Sequence, residues 1–154
     1  MIMLKIGERA PDFSLSDQQG NTRSLADYRG RKLLVYFYPR ADTPGCTRQS
    51  CAIRDAQEDL SGLKVAAVGI SPDTPERQKK FDDKYSLGFT LLADPERQAA
   101  EAYGVWKKRT SYGRSFMGIN RSSFLIDENG SLQAVWYGVK PEATVSNVTD
   151  LLND

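Results

Sequence analysis

Apolar and polar residues alternate along the chain with two different periods, and these periods divide it into predicted strands and helices. The run Leu33–Tyr38 is continuously apolar and ends at Pro39, which predicts a central strand covered on both faces. A second apolar run, Leu63–Ile70, predicts another buried strand. Between them, residues 44–61 carry apolar side chains at helical spacing, so we expect one helix there.

The flanking segments continue this alternation. Phe13–Leu15 and Thr22–Leu25 surround the turn residues Gln19–Asn21, which predicts an N-terminal β-hairpin. The further predicted elements are a helix over Pro75–Tyr85, a strand at Thr90–Leu92, a helix over Pro95–Tyr103, a hairpin of Ser123–Asp127 with Leu132–Val139, and a closing helix over Pro141–Leu152. This order predicts an α/β sandwich, in which helices flank a central mixed β-sheet.

Composition is consistent with that architecture. With 154 residues, 40% of them hydrophobic, we expect a single domain over residues 1–154. The net charge of +1 gives no reason to expect binding to nucleic acid or to an anionic membrane. The apolar start, residues 1–7, is too short for a signal peptide, and no run approaches the ~20 residues of a membrane span. We therefore expect a cytoplasmic protein.

The candidate chemistry rests on two cysteines, because the chain has no histidine. The absence of imidazole excludes a Cys-His or Ser-His catalytic pair, and two thiols cannot supply the four ligands of a structural zinc site. We therefore expect neither a metal site nor a cofactor. Five positions separate Cys46 from Cys51, a spacing unlike the disulfide framework of a small secreted domain.

Cys46 follows a helix start signal. Thr43 and Pro44 are typical of an N-cap and a first helical residue, so Cys46 falls in the first turn. Unpaired backbone N–H groups and the positive end of the helix dipole at that position favour the thiolate over the thiol. A cysteine at this position can therefore be activated without a histidine.

Helix geometry separates the two thiols. At about 100° per residue, Cys46 shares a stripe with Ile53, Ala56 and Leu60, and we expect this stripe to face inward. Cys51 lies near the opposite side, which we expect to face water. The two Cα atoms should be roughly 8–9 Å apart, whereas a disulfide requires less than about 7 Å. A bond between them would therefore require the first turns to unwind.

The residues alone leave alternatives open. Two cysteines in one chain can be small buried or incidental thiols, and Thr43 can act simply as a helix cap. An arginine such as Arg121 is most often an ordinary surface residue. Spacing alone does not decide between these interpretations and a catalytic role.

A resemblance extends over nearly the whole chain. Pro39-x-x-x-Thr43-x-x-Cys46 resembles the active-site pattern of the peroxiredoxins, and Asp42–Thr47 followed by Cys51 resembles their peroxiredoxin Q or bacterioferritin comigratory protein subfamily. The same subfamily is resembled, in order, by Gly7–Phe13, Tyr103–Trp106 and Met117–Asp127. The resemblance implies a thioredoxin-like fold and a thiol-dependent peroxidase.

The resemblance also implies roles for individual residues. Cys46 would be the peroxidatic nucleophile that becomes a sulfenic acid, and Cys51 the resolving thiol that forms an intramolecular disulfide with it. Thr43 and backbone N–H groups would hold the peroxide oxygens, and Pro39 would shape the pocket. Arg121 would lie beside the sulfur and favour its thiolate.

The same resemblance implies partners. Hydrogen peroxide or an organic hydroperoxide would be the substrate, and thioredoxin or a similar dithiol would reduce the disulfide. Local unfolding of the active-site helix is known in this class, and we expect a monomer. Two other functions use the same cysteines: a peroxide-sensing interaction module, and a thioredoxin-like disulfide reductase, against which the four intervening residues argue.

Several positions limit the comparison or invite a second interpretation. The family commonly has an acidic residue where this chain has Gln49, so the polar network around Arg121 is expected to be weaker or differently arranged. Gly69–Asp73 resembles a family element, but its role as a strand-to-helix connection is enough to explain it. Three aromatic residues could border a peroxide entrance, but aromatics near a strand more often pack in the core, and we expect that position for Trp106, Tyr112 and Phe116.

Overall fold

A mixed β-sheet with helices on both sides organises the computed structural model, which describes residues 3–153. Met1 and Ile2, part of the predicted apolar start, and Asp154 lie outside the described residues. The strands are β1 Ser14–Asp17, β2 Thr22–Ser24, β3 Lys32–Phe37, β4 Val65–Ser71, β5 Thr90–Ala93, β6 Trp106–Ser111, β7 Arg114–Ile119, β8 Ser122–Ile126 and β9 Leu132–Trp136. The helices are α1 Pro44–Asp55, α2 Gln57–Gly62, α3 Pro75–Tyr85, α4 Gln98–Ala102 and α5 Ala143–Leu152.

The large sheet has the strand order β2-β1-β5-β4-β3-β8-β9. Strands β3, β4 and β5 run parallel, whereas β1, β8 and β9 each pair antiparallel with a neighbour. Helices connect the parallel strands, as parallel pairing requires. The antiparallel pairs β1–β2 and β8–β9 are hairpins, in agreement with the predicted order of elements. The sheet is therefore mixed, and the N-terminal hairpin is confirmed.

The central strand β3 explains why the core has two parts. Leu33, Val35 and Phe37 point to one apolar cluster, and Leu34 and Tyr36 point to the other. Alternate side chains leave opposite faces of a strand, so a continuously apolar run is what a strand buried on both faces needs. Cys46 belongs to the second cluster, with buried residues of α1, α2 and α3.

The predicted helix over residues 44–61 is divided at Ala56. There ψ is 3°, which ends α1 at Asp55 and starts α2 at Gln57. The predicted inward stripe is nevertheless confirmed, because Cys46, Ile53, Ala56 and Leu60 are all buried. The helix is therefore interrupted at Ala56, but α1 and α2 bury the same predicted stripe of side chains.

The prediction missed the β6–β7 hairpin. These strands form a two-stranded sheet separate from the large sheet, and the turn between them uses Tyr112 at φ 51° and Gly113 at φ 76°. Positive φ at both central residues is the geometry of a tight hairpin turn, and glycine is the usual signal for it. Gly113 was the sequence signal for this turn, but tyrosine rarely adopts the positive φ that the turn also requires at position 112.

Three predicted ends were also wrong. The helix predicted from Pro95 begins at Gln98, because Arg97 is left-handed with φ 60°. The closing helix begins at Ala143 and not at Pro141. The last strand ends at Trp136, after which Val139 N–H donates a hydrogen bond of 2.8 Å to the carbonyl of Arg121. The chain after β9 therefore returns to the segment that carries Arg121.

Candidate active site

The start of α1 meets the connection between β7 and β8. Thr43 has extended backbone angles, with φ −102° and ψ 156°, and Pro44 is the first helical residue, so the predicted helix start is confirmed. Cys46 lies in the first turn with only 1% of its surface exposed. Arg121 comes from the β7–β8 connection and reaches the same point.

Arg121 directly contacts the buried sulfur. Its Nη2 lies 3.4 Å from Cys46 Sγ, within hydrogen-bond distance for sulfur. A Cβ at Gly45 would lie 3.1 Å from the same Nη2, so the glycine before Cys46 leaves the space that the guanidinium occupies. A guanidinium at this distance can donate hydrogen bonds to the sulfur and to an oxygen bound to it.

Gln49 holds the guanidinium in place. Its Oε1 accepts a hydrogen bond of 2.6 Å from Arg121 Nη1, and its Nε2 donates one of 2.8 Å to Thr144 Oγ1 on α5. Gln49 and Thr144 are both fully buried. The expected rearrangement at this position is therefore an amide bridge from Arg121 to α5, and among residues 3–153 no carboxylate forms an ion pair with the arginine.

A second buried contact fixes the same helix to the sheet. The hydroxyl oxygens of Tyr36 on β3 and Ser50 on α1 lie 2.8 Å apart. Burial raises the pKa of Tyr36 far above its ordinary value of 10.0, so the phenol keeps its proton. A Cβ at Gly69 on β4 would lie 2.6 Å from the tyrosine ring, so glycine is needed there.

Cys51 differs from its predicted surroundings. It is half-buried and packs against the apolar cluster on the α1 side of the sheet, so it does not simply face water. Both cysteines are free thiols within the continuous helix α1. The structure therefore brings Cys46 and Arg121 into contact and keeps Cys51 on another side of the same helix.

The Thr43 hydroxyl does not cap the helix. Thr43 Oγ1 donates a hydrogen bond of 2.8 Å to the carbonyl of Arg40, and no side-chain cap bond forms. Thr43 occupies the predicted N-cap position, but its side chain forms no capping hydrogen bond. With its proton directed to Arg40, the hydroxyl oxygen keeps its capacity to accept a further hydrogen bond.

The loop before the helix is anchored by a residue that sequence reasoning treated as a simple connection. The buried Asp73 accepts 2.7 Å and 2.6 Å hydrogen bonds at Oδ2 from Ala41 N–H and Ser71 Oγ. These bonds hold the backbone three positions before the first helical residue. The resemblance at Gly69–Asp73 was the signal available for this role.

The end of α3 holds the same loop from outside. Asp42, left-handed with φ 60°, accepts hydrogen bonds of 2.8 Å from Lys84 Nζ and 2.6 Å from the Tyr85 hydroxyl. Both hydrogen bonds lower the pKa of Asp42, and the one from Lys84 contributes most. Arg54, near the other end of α1, donates to the carbonyl of Tyr85 at 2.6 Å. The C-terminus of α3 thus contacts both ends of the cysteine helix.

An open groove of about 440 Å³ adjoins this site, and we call it the hairpin groove. Its lining includes Pro39, Arg109, Phe116, Gly118, Arg121 and Val139. Pro39 is exposed there, beside the arginine that contacts Cys46. Phe116 is half exposed and Tyr112 fully exposed, so the core prediction was wrong for these two aromatics, whereas Trp106 is partly buried and packs against the core.

Across residues 3–153, no three side chains of the metal-binding types cluster closely enough to hold an ion. No helix in that same part of the chain has both the length and the apolar surface to cross a membrane.

Comparison with known proteins connects these features to a family. Residues 6–135 match the AhpC/TSA family. The chain is 42% identical over 151 residues to Peroxiredoxin Bcp of Bacillus subtilis, which covers 98% of this chain and 96% of that protein. It is 47% identical over 133 residues to Peroxiredoxin Bcp of Escherichia coli, covering 86% and 85% of the two chains.

Solved structures show the same architecture. Peroxidoxin BcpB from Mycobacterium tuberculosis superposes with a TM-score of 0.87 at 31% identity, covering 97% of each chain. A PrxQ mutant from Xylella fastidiosa gives a TM-score of 0.92 at 25% identity, covering 99% and 98%. The predicted thioredoxin-like fold class is therefore confirmed.

A buried helix-start cysteine beside an arginine, on this fold and with these relatives, defines a peroxiredoxin, a peroxidase that depends on a thiol. The chain belongs to the AhpC/TSA family, and its similarity is to the Bcp and peroxiredoxin Q members. The family implies a peroxide substrate and a thiol reductant.

Proposed function

We propose that this protein reduces hydrogen peroxide and organic hydroperoxides by direct attack of the Cys46 sulfur. The contact of 3.4 Å between Cys46 Sγ and Arg121 Nη2 carries the proposal. The sulfur attacks the terminal peroxide oxygen, the S–O bond forms as the O–O bond breaks, and the departing oxygen takes a proton to leave as water or an alcohol. Cys46 becomes a sulfenic acid.

Arg121 stabilises the charge that moves in this step. Negative charge begins on sulfur and shifts to the departing oxygen, and a guanidinium offers donors to both positions. The amide of Gln49 accepts from Nη1, which leaves Nη2 directed at the sulfur. Thr43 accepts a hydrogen bond from the peroxide through its free hydroxyl lone pairs, and Pro39 borders the site and limits access of water.

Resolution requires α1 to open. Cys51 attacks the sulfenic sulfur, a disulfide forms and water leaves. Because both cysteines lie in one regular helix, the segment between them must unwind before their sulfurs can meet. Unwinding breaks the buried hydrogen bonds of Gln49 and Ser50, which lie within that segment.

An external dithiol completes the cycle. Reduction of the Cys46–Cys51 disulfide by thioredoxin, or a similar protein with two thiols, returns both cysteines to the thiol state. We propose that the protein acts in the cytoplasm as a monomer.

The test measures peroxide consumption and the state of each cysteine. Wild type should consume hydrogen peroxide and oxidise reduced thioredoxin, whereas Cys46→Ser should lose the activity. Cys51→Ser should consume about one equivalent of peroxide and retain a sulfenic acid at Cys46, detected by dimedone labelling and mass spectrometry. Full turnover by Cys46→Ser would refute the proposal, and faster reduction of insulin than of peroxide would favour a disulfide reductase.

A further inference from the structure

The β6–β7 hairpin carries a concentration of positive charge that the attack on peroxide does not use. Residues 106–119 contain four basic residues and no acidic one, which leaves 17 basic and 20 acidic residues in the rest of the chain. The net charge of +1 therefore conceals a positive hairpin on an otherwise negative protein. Within residues 3–153, no carboxylate forms an ion pair with a basic residue of the hairpin. This charge is consequently available to a partner.

Strand register places three of these four charges on one face, together with an aromatic ring. Arg109 pairs directly with Phe116, and directly paired residues project from the same face. Arg114 lies two positions before Phe116, and Lys107 two positions before Arg109, so both side chains leave that same face. We call it the basic face, and its members are Lys107, Arg109, Arg114 and Phe116.

The other face of the hairpin attaches it to the protein. Trp106 pairs with Ile119, and these two side chains project away from the basic face. Ile119 is buried in the first apolar cluster of the core, and Trp106 packs against that cluster. Arg109, Arg114 and Phe116 are exposed. The hairpin is therefore held by one face and presents the basic face to its surroundings.

The basic face borders the active site. Arg109 and Phe116 line the hairpin groove together with Arg121, which contacts Cys46. A protein–protein contact covers about 800 Å² of each partner, equivalent to a disc about 16 Å in radius. A protein that reaches the oxidised cysteines therefore also covers part of the basic face.

The basic face stays in place when α1 opens. The hairpin forms a two-stranded sheet of its own, and the core cluster that holds it is not the one that contains Cys46. Within the segment that unwinds, Gln49 bonds to Arg121 and Thr144, and Ser50 to Tyr36, so these buried bonds do not involve the hairpin. The disulfide state, which a reductant meets, therefore retains this surface.

We propose that the basic face docks the dithiol protein that reduces the Cys46–Cys51 disulfide, and that it selects a partner with acidic residues around its thiols. This inference rests on the proposed peroxidase cycle and specifies where the reducing partner binds and what charge it carries. A positive surface beside the disulfide attracts and orients an acidic partner. Phe116 adds an exposed aromatic contact between basic residues, and aromatic residues and arginine are enriched at protein interfaces.

The reaction that follows docking is thiol–disulfide exchange. A thiolate of the partner attacks one sulfur of the disulfide, a mixed disulfide forms, and the other cysteine leaves as a thiolate and takes up a proton. The second thiol of the partner then attacks the mixed disulfide, which releases this protein with two thiols and leaves the partner with a disulfide. The residues of the basic face position the partner and take no part in the exchange of bonds.

The experiment compares two reductants of the oxidised protein: a thioredoxin of net negative charge, and dithiothreitol, which is too small to touch the disulfide and the basic face together. Arg114→Glu reverses one exposed charge of the basic face. We expect it to lower the second-order rate constant for thioredoxin about three- to tenfold and to leave that for dithiothreitol unchanged. The wild-type rate with thioredoxin should also fall as ionic strength rises, because salt screens the attraction.

Lys108→Glu is the matched control, because it reverses the same charge on the opposite face of the same hairpin. We expect it to change the rate with thioredoxin by less than about twofold, since its charge is separated from the docked partner by the hairpin and by solvent. Each thioredoxin rate is divided by the dithiothreitol rate of the same variant, so differences in stability or in helix opening cancel. An equal loss in both variants, or no loss in Arg114→Glu, would overturn the proposal.

The class of partner is tested with two further probes. Arg114→Glu should not slow reduction by a thioredoxin of net positive charge, and a short single-stranded oligonucleotide should not compete with the acidic thioredoxin. Slower reduction of this variant by both thioredoxins would contradict selection by charge. Inhibition by the oligonucleotide below the KM for thioredoxin would assign the basic face to nucleic acid and overturn the proposal.

The dithiothreitol assay separates this inference from the proposed function. Failure of wild type to consume hydrogen peroxide with dithiothreitol as reductant would refute the proposed function, and the docking with it. Normal turnover with dithiothreitol, combined with reduction by thioredoxin that neither salt nor Arg114→Glu changes, would refute the docking alone.

Discussion

The segment between the two cysteines and the β6–β7 hairpin border one site but are held in opposite ways. Gln49 and Ser50 turn inward and form hydrogen bonds with Thr144 and Tyr36, all of them fully buried. The hairpin forms a two-stranded sheet of its own and exposes Tyr112 at its turn. The buried segment fixes the geometry of Cys46, whereas the exposed hairpin is free to shape what approaches it.

This difference has a consequence for the proposed cycle. The segment that must be rigid for the attack on peroxide is also the one that must unwind for the disulfide. The buried hydrogen bonds affect both steps. They keep the helix folded during the attack on peroxide, and their loss contributes to the free energy needed to unwind it. Substitutions in the cysteine segment should therefore change stability, attack and opening together, whereas those at the hairpin turn should change none of these.

The largest effect is expected at Gln49. Gln49→Leu removes both hydrogen bonds and leaves Arg121 Nη1 and Thr144 Oγ1 without their partners, which should lower the free energy of unfolding by about 3 kcal/mol. The loss of orientation of Arg121 should slow sulfenic acid formation about tenfold. Chemical denaturation and stopped-flow peroxide oxidation measure the two effects.

Thr144→Val is the control for this substitution. It keeps the volume and removes only the acceptor on α5, so Arg121 still contacts Gln49. We expect a smaller loss of stability, about 1–2 kcal/mol, and a rate of oxidation close to that of wild type. If Thr144→Val slowed oxidation as much as Gln49→Leu does, the contact of Gln49 with α5, and not its hydrogen bond to Arg121, would control the reaction rate.

An intermediate effect is expected at Tyr36. Tyr36→Phe removes the phenol oxygen and leaves Ser50 without its buried partner, which should cost about 1–2 kcal/mol in the folded helix. Easier opening should let Cys51 capture the sulfenic acid sooner, so less Cys46 should be overoxidised to sulfinic acid at high peroxide. Mass spectrometry quantifies the sulfinic acid.

The control for this substitution removes both hydroxyl groups of the hydrogen-bonded pair. Tyr36→Phe combined with Ser50→Ala leaves no unpaired hydroxyl, and its stability should recover part of the loss. Increased overoxidation in Tyr36→Phe would contradict the idea that this hydrogen bond opposes opening.

The smallest effect is expected at the hairpin turn. Tyr112 is fully exposed, so Tyr112→Ser should change the free energy of unfolding by less than about 0.5 kcal/mol. The rate of hydrogen peroxide reduction should also stay within about twofold of wild type. A loss of stability comparable to that of Tyr36→Phe would show that the hairpin is coupled to the core after all.

Much of the fold could be predicted because its signals are local. The apolar run of β3 and the Thr43–Pro44 start of α1 depend on side-chain period and on backbone sterics, and both were confirmed. The β6–β7 hairpin was missed because its strands are polar and mostly exposed, so no buried face produces a strong pattern. The break at Ala56 was missed because apolar spacing continues across it.

The sequence by itself determined the placement of Cys46 in a first helical turn, its inward stripe and its divergence from Cys51, because these follow from the regular geometry of a helix. Only the tertiary structure decided what surrounds the sulfur. Gln49 meets Arg121 across 72 positions of sequence and Thr144 across 95. Such contacts depend on how the sheet and helices pack, which no local pattern encodes, and they convert a reactive helix position into an organised site.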